Sequence, residues 1–238
     1  MVTSATQPPP DDAEQDVLRS SWEADLRVLA PEAPARLVTD EAAQLLARWS
    51  ESRRSYHTVQ HLGEVLAAID ELAGAGEVDA VGVRLARVAA WYHDAVYDPA
   101  AEGGSNEHRS ATLARDHLHA LGVARGNVDV VEALVLMTLD HDAAAGTGVL
   151  ASRRHTAAVL HDADLWILAA PEDRYREYTT QVRTEYRHVP DELFVRGRSA
   201  ILTGFAHRDV LYRTGHARAH WEGRARANLA AELDQLRG

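Results

Sequence analysis

Residues 54–72 read RSYHTVQHLGEVLAAIDEL, and the apolar positions decide what this stretch becomes. Leu62, Val65, Leu66, Ile69 and Leu72 recur at the three-and-four spacing of a single helical face. Val128, Val131, Leu134, Val135 and Leu139 repeat that rhythm further along the chain. Apart from the prolines at 8–10, proline occurs only at positions 31, 34, 99, 171 and 190. The segments between are rich in Ala, Leu, Arg and Glu, all good helix formers. Runs that alternate apolar and polar residues between turn signals are missing, so strands find little support. The expected fold is all-α, with roughly ten helices near 14–30, 36–50, 57–74, 79–97, 105–121, 125–140, 152–169, 172–187, 191–206 and 218–236. Residues 1–15, polar with three consecutive prolines, are expected to form a disordered tail, leaving residues 16–238 as one domain.

Composition narrows the function. The 238 residues carry a formal net charge of −11, which argues against a nucleic-acid polymer as partner, since that needs a basic surface. No window approaches the ~18 consecutive apolar residues of a membrane span, and the first residues lack the basic start and apolar stretch of a secretory signal. Cysteine is absent, so no thiolate nucleophile, thiolate ligand or disulfide is available, and a reducing cytoplasm is the expected location. Histidine, with 13 copies, is the unusual count and the main supply of metal-binding nitrogen.

Three sites concentrate the chemistry. His57 and His61, four residues apart on a helix, would share a face about 5–6 Å apart at Cβ. The spacing is that of helical zinc proteases, but those need Glu directly after the first His, and Thr58 stands there. His93-Asp94 closes the otherwise apolar run from Ala89 to Val96, where a buried carboxylate costs several kcal/mol unless paired or bound to a metal. The dipeptide alone is weak evidence, since it recurs at 141–142 and 161–162. Its place one helix after a His pair singles it out. In Val159–Leu168 two carboxylates, Asp162 and Asp164, interrupt what otherwise reads as a buried helix. His61, His93, Asp94 and Asp164 would together offer two imidazoles and two carboxylates, a mixed set suited to Mn, Fe, Zn, Co or Ni more than to Ca.

The order His…His-Asp…Asp over consecutive helices resembles the HD superfamily of metal-dependent phosphohydrolases. Tyr56-His57 followed by His61 is similar to its cyclic-nucleotide phosphodiesterase branch. That resemblance implies a general acid at His57 and a metal ligand at His61. Ala163-Asp164-Leu165 resembles the stretch carrying the superfamily's last metal-binding Asp, which favours Asp164 over Asp162. A closer likeness is to an uncharacterised bacterial subgroup of predicted HD phosphohydrolases. It rests on Tyr97-Asp98, Asn106-Glu107, Ser110-Ala111, Asp164-Leu165, Tyr175 with Tyr178, and Arg183-x-Glu185-Tyr186. It covers most of residues 20–236.

The implied protein is a single HD-like helical bundle that hydrolyses a small phosphate ester, with a nucleotide-like substrate favoured and a divalent transition metal as cofactor. The metal set is His61, His93, Asp94 and Asp164. Beside His57, Glu107 and Asp98 are the other candidate catalytic groups. Glu107 could act as general base or hold a water, or could simply be a first-turn carboxylate favoured by the helix dipole. Arg54, His141 and Arg183 are candidate substrate-binding residues, and Arg198 and Arg208 are further possible phosphate clamps, because a guanidinium grips phosphate bidentately. His141 could instead touch a second metal. Trp91 and Trp166 read as core. Two alternatives stay open: an HD-fold di-iron oxygenase, and a non-catalytic module binding a nucleotide or a protein. A homo-oligomer is compatible with the sequence.

Overall fold

The apolar stripes fold as helices. A computed structural model describes residues 12–101, 103–140 and 148–237, and among them it contains eleven α-helices and no strand. They are α1 (Asp12–Leu29), α2 (Ala35–Trp49), α3 (Val59–Gly74), α4 (Ala80–Tyr92), α5 (Ser105–Ala120), α6 (Arg125–Met137), α7 (Arg154–Asp164), α8 (Glu172–Glu185), α9 (Asp191–Ala206), α10 (Gly215–His220) and α11 (Glu222–Arg237). Two 3₁₀ segments, Gly148–Arg153 and Leu165–Ala169, flank α7. No helix among the described residues is long and apolar enough to cross a membrane.

The stripe that opened the sequence reading is buried along α3: Leu62, Val65, Leu66, Ile69 and Leu72 all lie in one apolar core. That core is contiguous from Leu18 in α1 to Leu233 in α11. Helices α3, α4 and α7 pack on one another at its centre. The first turn of α3, the turn that follows α4 and the last turn of α7 carry His61, His93-Asp94 and Asp164, so three helix ends meet at one place. Trp91 is core as expected, whereas Trp166 is only partly buried at its edge.

Several boundaries differ from expectation, for identifiable reasons. Residues 12–15, assigned to the tail, belong to α1. The helix expected at 57–74 starts only at Val59, which leaves His57 in the preceding turn rather than on a shared helical face with His61. The helix expected at 79–97 ends at Tyr92, with His93 as its C-cap. Beyond it Arg54 captures the carbonyls of Asp94 and Ala95 at 2.8 and 3.2 Å, drawing that backbone out of helical register. Residues 152–169 form a 3₁₀ segment, α7 and a second 3₁₀ segment in place of one helix, and 218–236 is split between α10 and α11.

Leu62 is fully buried and Leu193 is 54% exposed. Leu62→Ala is expected to destabilise the protein by about 2–5 kcal/mol, and Leu193→Ala by less than about 0.5 kcal/mol. Urea denaturation at equilibrium measures both; equal effects would contradict this packing.

Candidate metal centre

Four donor atoms converge where the three helix ends meet. His61 Nε2 and His93 Nε2 lie 3.3 Å apart. Asp164 Oδ1 is 3.5 Å from the first and 3.4 Å from the second, and Asp94 Oδ2 is 3.3 Å from His93 Nε2. Ligand atoms held about 2.0–2.2 Å from one ion stand roughly 3–3.5 Å from each other, and these four pair distances match that spacing. Asp164 approaches the two imidazoles but stands outside the group whose donor atoms are all mutually close. His61, His93 and Asp94 form the one tight group of potential metal donors found among the described residues.

The surroundings aim these atoms. His93 Nδ1 lies 2.7 Å from the Ala90 carbonyl, which can only accept, so the bond places a proton on Nδ1 and leaves Nε2 to face the cluster. The Trp49 ring packs against both imidazoles, and its Nε1–H donates to the Trp91 carbonyl at 3.0 Å. Burial disfavours charge on His61, His93 and Asp94, and the charges present decide the outcome. His93, between Asp94 and Asp164, is raised well above the ordinary imidazole range despite its burial. Burial and the neighbouring His93 lower His61. Burial opposes ionisation of Asp94, but His93 and His57 outweigh it and hold the carboxyl well below its usual range. The imidazoles supply positive charge beside Asp94 and Asp164 here, and the donor types present are ones that a divalent transition metal takes.

His57 stands beside the group, with Nε2 3.7 Å from Asp94 Oδ2. Its orientation comes from Glu185, a residue sequence reasoning did not select. The buried Glu185 carboxylate accepts from the backbone N–H groups of Ser55, Tyr56 and His57 at 2.7, 2.9 and 3.0 Å. It also lies 2.7 Å from His57 Nδ1 and accepts from the Tyr97 hydroxyl at 2.8 Å. The Tyr97 ring stacks on His57 with centroids 4.1 Å apart. Burial would lower the His57 pKa, but Glu185 and Asp94 more than offset it and the value is raised. Glu185 is in turn held down at about 2, its burial outweighed by His57 and the backbone donors. A signal for Glu185 was present, since Tyr175, Tyr178, Val182 and Glu185 share the buried face of α8 and only the last is charged.

Other predicted residues lie elsewhere or do other work. Arg54 is not free to bind substrate: its side chain is fully buried, and it donates to the carbonyls of His57, Asp94 and Ala95 and pairs with Glu51. It holds the two turns of the site together. Arg183 is also spent, on the carbonyls of Tyr186 and Val189 and on Asp191, closing the α8–α9 connection. Arg198 forms a buried pair with Glu232, and Arg208 lies over the Phe205 ring. Asp98 accepts from Ala100 N at 3.0 Å within its own loop. Glu107, in the first turn of α5, is within electrostatic reach of Tyr186, as is Asp94, and its buried Oε2 has no hydrogen-bond partner among the described residues. Asp162 turns away from the four donors towards Arg213 and Thr214. His141 lies outside the described residues.

Glu185 makes acid stability a direct readout. Its carboxyl titrates near 4.5 when unperturbed and about 2 in the folded protein, so it stabilises fully above the first value and loses that contribution as pH falls towards the second. Relative to Glu185→Gln, the wild type is expected to lose about 2 kcal/mol between pH 5.5 and pH 3. Denaturant midpoints at the two pH values measure this, and a pH-independent difference would contradict the assignment.

No family model matches the chain, and a search of curated proteins finds no match.

Proposed function

We propose that the protein is a metal-dependent phosphohydrolase of the HD type, acting on a small phosphate ester with a nucleotide-like substrate favoured. The observation that carries this reading is the group of His61, His93 and Asp94, with Asp164 against both imidazoles, beside a further side chain, His57, that is oriented by Glu185. A set of ligands alone would serve a binding module equally well. A positioned imidazole next to them is what bond cleavage needs and binding does not.

A divalent ion held by those four residues would supply positive charge at a phosphoryl oxygen and lower the pKa of water to near neutrality. The chain's own residues do the rest. Glu185 fixes a proton on His57 Nδ1 and stabilises the imidazolium, as its own depressed pKa reflects. His57 Nε2 then holds a proton on the side of Asp94 and can donate it to the leaving oxygen as the P–O bond breaks. Tyr97, stacked on the ring and bonded to the same carboxylate, limits rotation of the imidazole. The Glu107 carboxylate can accept from a water or a substrate hydroxyl.

Metal analysis with an ester screen tests this. The purified protein is expected to carry divalent transition metal and to hydrolyse phosphate esters, and chelation should abolish the activity. His57→Ala should keep the metal and lose about 10²–10⁴-fold in rate on alkyl esters. On nitrophenyl esters, whose leaving group departs without a proton, the loss should be much smaller. Protein without metal would favour a binding module, and two irons with O₂ uptake would favour an oxygenase; either result contradicts the proposal.

A further inference from the structure

Asp164 is the last residue of α7, where the α-helix passes directly into the 3₁₀ segment Leu165–Ala169. The direction in which its side chain leaves the backbone depends on what holds that junction. Both sides of Asp164 are tied to one segment, residues 211–214. On one side, the fully buried Asp162 carboxylate accepts from Arg213 N at 2.8 and 3.0 Å, from Thr214 N at 2.7 Å and from the Thr214 hydroxyl at 2.7 Å. On the other, the Tyr212 hydroxyl donates to the Leu165 carbonyl at 3.1 Å.

The segment is itself anchored. The Thr214 hydroxyl also accepts from Ala217 N, capping α10. Tyr212 is fully buried and packs edge-on against Trp221, with ring centroids 5.6 Å apart. Trp221 Nε1 donates to Glu71 at 3.1 Å, and His216 N donates to Glu77 at 2.6 Å. Glu71 is in α3, the helix that presents His61, and Glu77 follows it closely. One brace therefore fixes α7 against α3, the two helices that supply Asp164 and His61.

We propose that Tyr212 and Thr214 are positioning residues that aim Asp164 at the metal, and that Asp162 is the anchor through which Thr214 acts. The inference rests on the metal-site reading above. It assigns a role to a loop about 50 residues away in sequence.

Cobalt titration of the full-length protein tests it, with affinity from calorimetry and ligand geometry from the visible absorption of bound Co²⁺. Tyr212→Phe, Thr214→Val, Thr214→Ser and Asp164→Asn are compared, each checked for helix content. Thr214→Val should weaken Co²⁺ binding by about 10–100-fold and alter the absorption bands, as loss of a ligand's outer support does. Tyr212→Phe should act in the same direction by less, and Thr214→Ser, which keeps the hydroxyl, should restore affinity and spectrum. Should Thr214→Val fail to fold, Tyr212→Phe carries the test by itself. Wild-type affinity and spectrum in Tyr212→Phe and in folded Thr214→Val, beside an Asp164→Asn protein that has lost affinity, would overturn this inference alone. An Asp164→Asn protein that titrates like wild type would remove the metal reading and this inference with it.

Discussion

Two carboxylates, Asp94 and Asp164, sit among two buried imidazoles at the meeting point of three helix ends, and such charges are costly unless positive charge balances them. Much of the local structure follows from this constraint. Helix α4 stops so that His93-Asp94 can turn into the group, and α7 stops at Asp164. His93 Nδ1 is committed to a backbone carbonyl so that Nε2 faces the carboxylates. The raised pKa of His93 and the lowered pKa of Asp94 are the same balance seen from its two partners, burial being overcome in both by the opposite charge.

A second buried carboxylate does a different job. Glu185 gathers three backbone N–H groups, an imidazole and a phenol, and so fixes the turn before α3 to the end of α8. Arg54 complements it by collecting the carbonyls of that turn and of the turn after α4. The chain contains no lysine, so every cationic side chain other than histidine is an arginine. A planar fork with five donors can bridge several carbonyls at once, which a point-like ammonium does less well. Arg54 and Arg183 are both used in this way, which is why neither is free for a phosphate.

The helical fold was legible because its apolar stripes repeat at helical spacing, as in Leu62–Leu72 and Val128–Val135. The candidate donors were selected on different grounds: His93-Asp94 and the Asp162/Asp164 pair by interrupting apolar runs, His61 by its spacing from His57, and Asp164 over Asp162 by the family resemblance. What the sequence hid was set by distant partners. His57 leaves the helix because Glu185, 128 residues later, binds its backbone N–H. Asp162 and Asp164 look alike in sequence; the residues that separate them, Arg213 and Thr214, lie some 50 positions on. Arg54 reads as a phosphate clamp until its complete burial is known.

The central claim is that the four side chains bind one and the same ion. Anomalous diffraction from crystals of the protein grown with Mn²⁺ or Zn²⁺ tests it most directly. The account predicts an anomalous peak within bonding distance of His61 Nε2, His93 Nε2 and the carboxylates of Asp94 and Asp164. Metal located at other residues, with no peak among these four, would contradict it.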